Sequence, residues 1–332
     1  MKKKISLTGI KPTGRPHIGN YIGAIKPALE MAKNEDYLPV YFIADYHALN
    51  SVHDPAEFRN NVYGVAATWL SLGLNPEKAI FYRQSDVPEI LELHYILSCF
   101  TPKGLMNRAH AYKAAVDKNL ATGLEQDHGV NMGLFTYPIL MAADILLFQS
   151  DIVPVGKDQV QHVEIARDIA ESFNRTYGAS IQLPEYKIGE ETAVIPGLDG
   201  RKMSKSYNNT IPLFAEAKEL EKLIKKIKTD STPPDEPKDP DSSTIFLLYK
   251  EFASEEQIEE MRNKYIRGIS WGEAKQELFQ VMNAYLEKPR ENFYQLMANP
   301  NQLNEILAAG AEKARVLCKP FLHDLKKIIG CK

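Results

Sequence analysis

The 332-residue sequence is poor in cysteine and has no long apolar run. Its cysteines, Cys99, Cys318 and Cys331, are far apart and lack CxxC spacing, which argues against a structural zinc site or a disulfide framework. No stretch approaches the ~20 consecutive apolar residues that span a membrane. The apolar run after the N-terminal lysines is too short for a signal peptide. We therefore expect a cytoplasmic protein with no membrane partner.

A strong excess of either charge is also missing. The formal net charge is −3 at pH 7, so a nucleic acid would have to be bound by local basic patches. Hydrophobic residues make up 44% of the chain and charged residues 25%. This composition is typical of a globular protein with one large domain and a smaller one.

Strand-like and helix-like segments alternate through the first two thirds of the chain. The runs ISLTGI, PVYFIADYH, AIFYRQS and DIVPV have strand character, and stretches at about 17–33, 55–74 and 159–177 have helical periodicity. This alternation predicts right-handed βαβ units and a parallel sheet with helices on both faces. The fold class that we expect is α/β, with a Rossmann-like catalytic domain and a smaller all-helical C-terminal domain.

Two changes in character indicate where the chain divides. Residues 101–133 lack clear periodicity, and we interpret them as an irregular insertion between the two halves of the sheet. The basic residues of this insertion are Lys103, Arg108, Lys113 and Lys118. After GLDGRKMSKS, helical periodicity dominates and STPPDEPKDPDSS interrupts it as a loop. We predict a catalytic domain over residues 1–206 and a helical domain over residues 207–332.

The loop after the first apolar run has the composition of a phosphate-binding turn. Residues 12–20 read PTGRPHIGN. Gly14 and Gly19 let the backbone approach a ligand closely, and Pro16 fixes φ in the turn. A helix that begins at about His17 presents unpaired N–H groups to an anion. A Gly-rich turn between a strand and a helix can also be a tight corner and nothing more.

A second motif, KMSKS at residues 202–206, supplies two lysines and two serines within five positions. Ammonium and hydroxyl donors suit a polyphosphate leaving group, although the same residues also suit a solvated loop. HIGN in the first turn and KMSKS after the sheet are together the two signatures of class I aminoacyl-tRNA synthetases, which the chain resembles. The resemblance implies ATP as a substrate, with Mg²⁺ carried mainly on its phosphates.

The helix TYPILMAADIL carries a carboxylate among apolar residues. Tyr137, Leu140, Met141 and Asp144 are spaced by three, four and seven positions and therefore lie on one face. A charge on such a face is costly unless it finds a donor, so we expect a structural partner or a ligand to bind Asp144. An indole presents one N–H on a large apolar body, and a single carboxylate in an aromatic slot suits that shape.

Three longer segments are similar, in order, to motifs of the bacterial tryptophanyl-tRNA synthetases: GNYIGA, TYPILMAADIL and DIVPVGKDQVQH. The resemblance implies that Asp144 receives the indole N–H of L-tryptophan. The other residues that it places in the tryptophan pocket are Leu7, His47, Tyr137, Met141, Val153, Val155 and Gln159. The residues that it implies for ATP are Lys11, Pro12, Thr13, Gly19, Asn20, Gly156, Lys157, Asp158, Ile195, Lys202, Met203, Ser204, Lys205 and Ser206.

The chemistry that the resemblance implies has two steps. The carboxylate of tryptophan attacks the α-phosphorus of ATP to give an aminoacyl-adenylate and pyrophosphate, and the adenylate then acylates the terminal ribose of the cognate tRNA. The catalytic residues would be His17, Asn20, Lys202 and Lys205, which position the phosphates and stabilise their charge. The resemblance also implies a homodimer in which each tRNA spans both subunits.

Two basic surfaces are candidates for tRNA binding, the insertion around Arg108 and Lys113 and a helix in the C-terminal domain. The lysines of that helix are Lys218, Lys222, Lys225, Lys226 and Lys228, and the apolar residues expected to face the core are Leu220, Leu223, Ile224 and Ile227. A solvated charged face is an equal interpretation for any one lysine. Alternative functions are a tyrosyl-tRNA synthetase, a small-metabolite nucleotidyltransferase and a non-catalytic synthetase paralogue.

Overall fold

The computed structural model describes residues 3–156, 159–178, 181–188 and 195–332. In these ranges five parallel strands form one sheet with the order β3-β2-β1-β4-β5. The strands are β1 (Lys4–Ile10), β2 (Tyr37–Ile43), β3 (Ile80–Arg83), β4 (Ile152–Val155) and β5 (Glu185–Ile188). The strand order reverses direction at β1, and the carboxyl ends of strands beside such a point form a crevice. The α/β fold expected from the sequence is confirmed.

Helices pack on the sheet and fill the C-terminal part of the chain. The helices of the first half are α1 (Ile18–Asn20), α2 (Lys26–Lys33), α3 (Asp45–Ala48), α4 (Pro55–Ser71), α5 (Glu89–Ser98), α6 (Lys103–Asn107), α7 (His110–Ala121) and α8 (Met132–Leu147). Those that follow are α9 (Val160–Tyr177), α10 (Ala217–Lys225), α11 (Thr244–Tyr249), α12 (Glu255–Arg267), α13 (Trp271–Met297) and α14 (Pro300–Ile328). The single helix predicted over 17–33 is instead interrupted by a π-helical turn, Tyr21–Ile25.

The prediction of an irregular insertion at 101–133 was wrong, because helices α6 and α7 occupy much of it. Helix α7 buries only Tyr112 and Asn119, which lie two turns apart. Tyr112 donates a hydrogen bond to Asp127 at 2.6 Å, and the Asn119 amide donates to the carbonyl of His128 at 2.8 Å. The helix is therefore anchored by polar contacts, which leave little apolar periodicity in the sequence.

The C-terminal helices pack against the sheet and the helices around it. Helix α13 lies against α4, and α14 lies against β3. On and just after α10, Leu220, Ile224 and Ile227 are buried as predicted, while Leu223 is only partly buried. No helix in the described ranges is long and apolar enough to cross a membrane. The division of the chain at residue 206 remains a prediction.

Helix α14 approaches the backbone of the edge strand β3 at Gly310. A Cβ atom on Gly310 would lie 1.7 Å from the carbonyl oxygen of Phe81 and 2.6 Å from its carbonyl carbon. Ala311 and Ala314, which follow on the same helix, are also buried. Because small residues line this face, the helix can lie directly on the strand.

We expect Gly310→Ala to lower the free energy of unfolding by about 2 kcal/mol, because the new methyl group must push helix and strand apart. Gly64→Ala is the matched control, since a Cβ at this helical glycine has nothing within 4 Å. Alanine should stabilise that position by about 0.5–1 kcal/mol through its helix propensity. Urea unfolding followed by circular dichroism measures both changes, and similar values would contradict the close contact at Gly310.

Candidate active site

His17 caps the helix that follows the first strand. Its Nδ1 accepts a hydrogen bond from the backbone N–H of Asn20 at 3.3 Å, and the side-chain oxygen of Asn20 accepts from the backbone N–H of His17 at 3.1 Å. Burial, and to a smaller extent the ammonium of Lys205, lower the pKa of His17 to about 4. The ring is therefore neutral at pH 7. Because Nδ1 accepts, the proton lies on Nε2 and is left as a donor for a ligand.

The KMSKS loop folds against the first loop. The Lys205 ammonium donates to the carbonyl oxygen of Thr13 at 2.9 Å, and a Cβ on Gly14 would lie 2.9 Å from the same ammonium. Gly14 has φ +108°, in the left-handed region that favours glycine. Met203 is buried, and its sulfur accepts from the backbone N–H of Gly19 at 3.2 Å. The two signature motifs thus meet after the carboxyl end of β1.

Asn209, which sequence reasoning did not identify, holds the KMSKS loop in shape. Its amide donates to Asp199 at 2.7 Å and to the carbonyl of Lys202 at 3.1 Å. Its Oδ1 accepts from the backbone N–H of Ser204 at 2.8 Å. A Cβ on Gly197 would lie 2.4 Å from the Asn209 side chain, so glycine is needed there. These partners are mostly backbone groups, which leave no side-chain pattern in the sequence.

The carboxylate of Asp144 is 1% exposed and lies where α8 passes the ends of β2 and β3. Its Oδ2 is 3.0 Å from Nε2 of His47. The Gln84 amide donates to Oδ1 at 2.8 Å and to Oδ2 at 2.9 Å. Burial raises the pKa of Asp144, and the hydrogen bonds from His47 and Gln84 oppose that rise. Structural partners therefore bind this carboxylate, yet its roughly four lone-pair positions leave room for one more donor.

Most of the other residues predicted for the tryptophan pocket either contact His47 or belong to the apolar cluster that includes helix α8. The ring of Tyr137 lies edge-on to His47 with centroids 6.2 Å apart, and its hydroxyl is 3.3 Å from Nε2 of His162. Leu7 and Val153 belong to the same buried cluster as the apolar residues of α8. Met141 and Val155, which the sequence also predicted for the pocket, pack against that cluster. Gln159 is exposed at the N-cap of α9.

The remaining residues predicted for ATP lie around the two loops. Lys11, Thr13 and Asn20 are exposed, Pro12 is buried, and Gly156 directly follows β4. Partial desolvation of their ammonium groups lowers the pKa of Lys11 and of Lys205 even though both residues are exposed overall. The carbonyl of Ile195 accepts from the backbone N–H of Met203 at 2.8 Å. Of the KMSKS residues, Lys202, Lys205 and Ser206 are exposed and Ser204 is partly buried. Lys157 and Asp158 lie outside the described residues.

Sequence reasoning missed two polar residues that contact predicted pocket residues, Gln84 beside Asp144 and His162 beside Tyr137. Gln84 is fully buried in the turn Gln84–Asp86 that follows β3. The available signal was its position, because the carboxyl ends of neighbouring parallel strands meet at one edge of the sheet. His162 is a buried polar residue on α9. Apart from its residue type, the sequence did not indicate a role for it in the site.

Comparison with known proteins identifies the family of the chain. The family described as tRNA synthetases class I (W and Y) matches residues 2–287. Proteins named tryptophan–tRNA ligase are 54% identical in Pseudomonas aeruginosa, over 98% of this chain and 73% of that protein, and 51% identical in Neisseria meningitidis, over 99% and 98%. The crystal structure of tryptophanyl-tRNA synthetase from Campylobacter jejuni complexed with ADP and tryptophan superposes with a TM-score of 0.88, at 46% identity, over 98% of this chain and 99% of that one. At this identity and coverage, the chain belongs to the class I tRNA synthetases, among the bacterial tryptophanyl-tRNA synthetases.

Proposed function

We propose that the chain is a tryptophan–tRNA ligase that activates L-tryptophan with ATP at the carboxyl edge of its sheet and transfers it to the tRNA for tryptophan. The observation that carries this proposal is the contact of Lys205 with Thr13, which brings the two nucleotide-binding motifs together. Asp144 is hydrogen-bonded by His47 and Gln84, which follow the carboxyl ends of β2 and β3 at the same edge of the sheet. The proposed sites for the nucleotide and the amino acid therefore lie on the same edge of the sheet.

Adenylate formation needs no protein nucleophile, because the tryptophan carboxylate itself attacks the α-phosphorus of ATP and pyrophosphate leaves. The Nε2–H of neutral His17 donates to a phosphate oxygen. Lys205 and Lys202 bind the departing pyrophosphate, whose negative charge grows as the bond breaks. When a triphosphate displaces the carbonyl of Thr13, the Lys205 ammonium exchanges a neutral acceptor for an anionic one.

Mg²⁺ enters this scheme with ATP. In the described ranges no group of three or more His, Cys, Asp or Glu side chains could hold a metal ion. Mg²⁺ keeps several water ligands and binds well to phosphate oxygens, so the nucleotide itself can carry it. We also propose that the enzyme acts in the cytoplasm.

Lys205→Ala should lower the rate of adenylate formation ~100-fold and leave tryptophan affinity nearly unchanged, because a donor to the leaving group acts chiefly in the transition state. ATP–pyrophosphate exchange gives the rate, and calorimetry gives the affinity. Arg201→Ala is the control in the same loop, since Arg201 pairs with Asp199 instead of contacting the first loop. An equal loss of tryptophan affinity would argue against this role of Lys205.

Asp144 is the group that selects the amino acid. Tyrosine and phenylalanine have no N–H at the position of the indole nitrogen. A site built to hydrogen-bond one group can reject an analogue that lacks it by ~10⁴ to 10⁵, because a buried partner is then left unpaired. Discrimination of that size removes the need for an editing domain.

We expect Asp144→Ala to remove most of the preference for tryptophan over phenylalanine, through a loss in kcat/KM for tryptophan alone. Asp144→Asn keeps the shape and one acceptor oxygen, so its defect should be intermediate. Pyrophosphate exchange with each amino acid measures the ratio. A purely structural carboxylate predicts instead a lower melting temperature with an unchanged ratio, and that outcome in a folded variant would refute the assignment.

Exposed apolar side chains supply a surface for the homodimer. Tyr95 on α5 is 75% exposed and Met132 at the start of α8 is 70% exposed. Leu91, Leu120 and Leu124 are further exposed apolar residues of the same part of the chain. Exposed apolar side chains are common in protein interfaces. We propose that two copies of the chain pair through it.

The tRNA would contact basic residues on the outer face of α10. Lys218, Lys222 and Lys226 are exposed there, opposite the buried Leu220 and Ile224. Lys225 is bound to Glu221 at 2.6 Å, which reduces its value as a phosphate ligand. Arg108 and Lys113 form the second exposed basic surface.

Changing Lys222 and Lys226 together to glutamine should weaken tRNA binding and lower the slope of log affinity against log salt by about one to two units. Filter binding at several salt concentrations measures the slope, and pyrophosphate exchange should stay at the wild-type rate. Lys225→Gln serves as the control for a lysine that is already paired. An unaltered slope in the double variant would assign this face to solvent.

A further inference from the structure

The carboxylate of Asp144 is held by Gln84, a side chain to which the proposed reaction assigns no role. Gln84 is fully buried, directly after β3, and its amide nitrogen lies 2.8 Å and 2.9 Å from the two carboxylate oxygens. One NH₂ group thus faces both oxygens. His47, by contrast, meets only Oδ2. Gln84 therefore fixes the orientation of the carboxylate more fully than His47 does.

The orientation of the Gln84 amide is itself determined by its surroundings. The backbone N–H of Tyr46 donates to Oε1 of Gln84 at 3.1 Å. A backbone N–H can only donate, so Oε1 must face Tyr46 and the NH₂ group must face Asp144. Asp45 holds this arrangement, since its Oδ1 accepts from the backbone N–H groups of Tyr46 at 3.1 Å and Ser85 at 3.0 Å.

Because the Gln84 amide has a fixed orientation, it favours one charge state of the Asp144 carboxyl group. A hydrogen bond to a carboxylate favours the ionised form, whereas burial of Asp144 favours the neutral acid. The amide of Gln84 does not titrate, so it donates at every pH. An ionised Asp144 only accepts hydrogen bonds, which is what an indole N–H needs.

We propose that Gln84 is a specificity-determining positioning residue, which keeps Asp144 ionised and oriented to accept the indole N–H of tryptophan. The inference rests on the proposed role of Asp144 as the indole partner. It assigns Gln84 no contact with the substrate. Its effect passes through Asp144 and should therefore depend on pH and on the indole N–H.

Several other titratable groups surround this carboxylate. His47 on α3 contacts it, and Tyr82 on β3 is buried close to it. His94 on α5 lies near His47, and Tyr137 on the same helix as Asp144 is in turn paired with His162 on α9. When Gln84 alone is changed, all of these groups stay in place, so differences between the variant and the wild type report on Gln84.

The test is tryptophan binding by calorimetry between pH 5.5 and 8.5, with wild type and Gln84→Met. Methionine has a similar length but no donor. We expect binding to weaken ~10-fold or more at the acid end, because loss of a hydrogen bond to a charged group has about that effect. Without the donor the pKa of Asp144 rises further. The pH below which tryptophan affinity falls should therefore move up by about one unit. The tryptophan affinity of the variant should recover as the pH rises above the pKa of Asp144.

A tryptophan analogue in which sulfur replaces the indole N–H separates this effect from packing. Its affinity should change little between the wild type and Gln84→Met, so the preference for tryptophan over the analogue falls in the variant. Tyr82→Phe is the matched control, since it removes a buried hydroxyl near Asp144 that no described side chain hydrogen-bonds. The tryptophan affinity of Tyr82→Phe should fall at the same acid pH as that of the wild type.

Gln84→Glu keeps the size of the side chain. It tests the role of the Gln84 donor if Gln84→Met fails to fold. The introduced carboxyl donates only while protonated, so tryptophan binding should now fall as the pH rises. An equal, pH-independent loss for tryptophan and the sulfur analogue, or a Gln84→Glu profile that follows the wild type, would overturn the inference. An unchanged preference in Asp144→Asn would instead refute the proposed role of Asp144, and the role of Gln84 with it.

Discussion

The arrangement at the carboxyl edge of the sheet depends on keeping one buried charge hydrogen-bonded. An unpaired carboxylate at the position of Asp144 would cost several kcal/mol. Its donors come from other elements, His47 on α3 and Gln84 after β3, while α8 supplies the carboxylate. The pocket is therefore complete only when β2, β3 and α8 are all in place, and it cannot form as a local unit.

Burial acts against the charged form of three ionisable groups at this edge of the sheet. It lowers the pKa of His17 and Lys205 and raises that of Asp144. In the proposed reaction the neutral imidazole of His17 is sufficient, because a phosphate needs only a hydrogen-bond donor. In the proposed reaction, the phosphates of ATP would give the Lys205 ammonium an anionic partner in place of the carbonyl of Thr13, which favours its charged form. ATP binding would thus offset part of the effect of burial on Lys205.

The sequence was sufficient for the features that depend on local pattern. Alternating strand and helix signals predicted the parallel sheet, and the two motifs predicted loops that do meet through Lys205 and Thr13. It was insufficient where a role depends on a distant partner. Gln84 and Asp144 are 60 positions apart, and no sequence pattern around either residue predicts their contact. The helix α7 was missed for a related reason, since Tyr112 and Asn119 anchor it by polar contacts that periodicity does not detect.

The close contact of α14 with β3 has a consequence for synthesis of the protein. Strand β3 lies at one edge of the sheet, and an open edge can pair with a strand of another chain. The segment that covers it, around Gly310, follows it by more than two hundred residues. While the ribosome is still adding those residues, the nascent sheet carries an unprotected edge and is open to aggregation. Chaperone binding during that interval would protect a surface that the finished protein covers with its own helix.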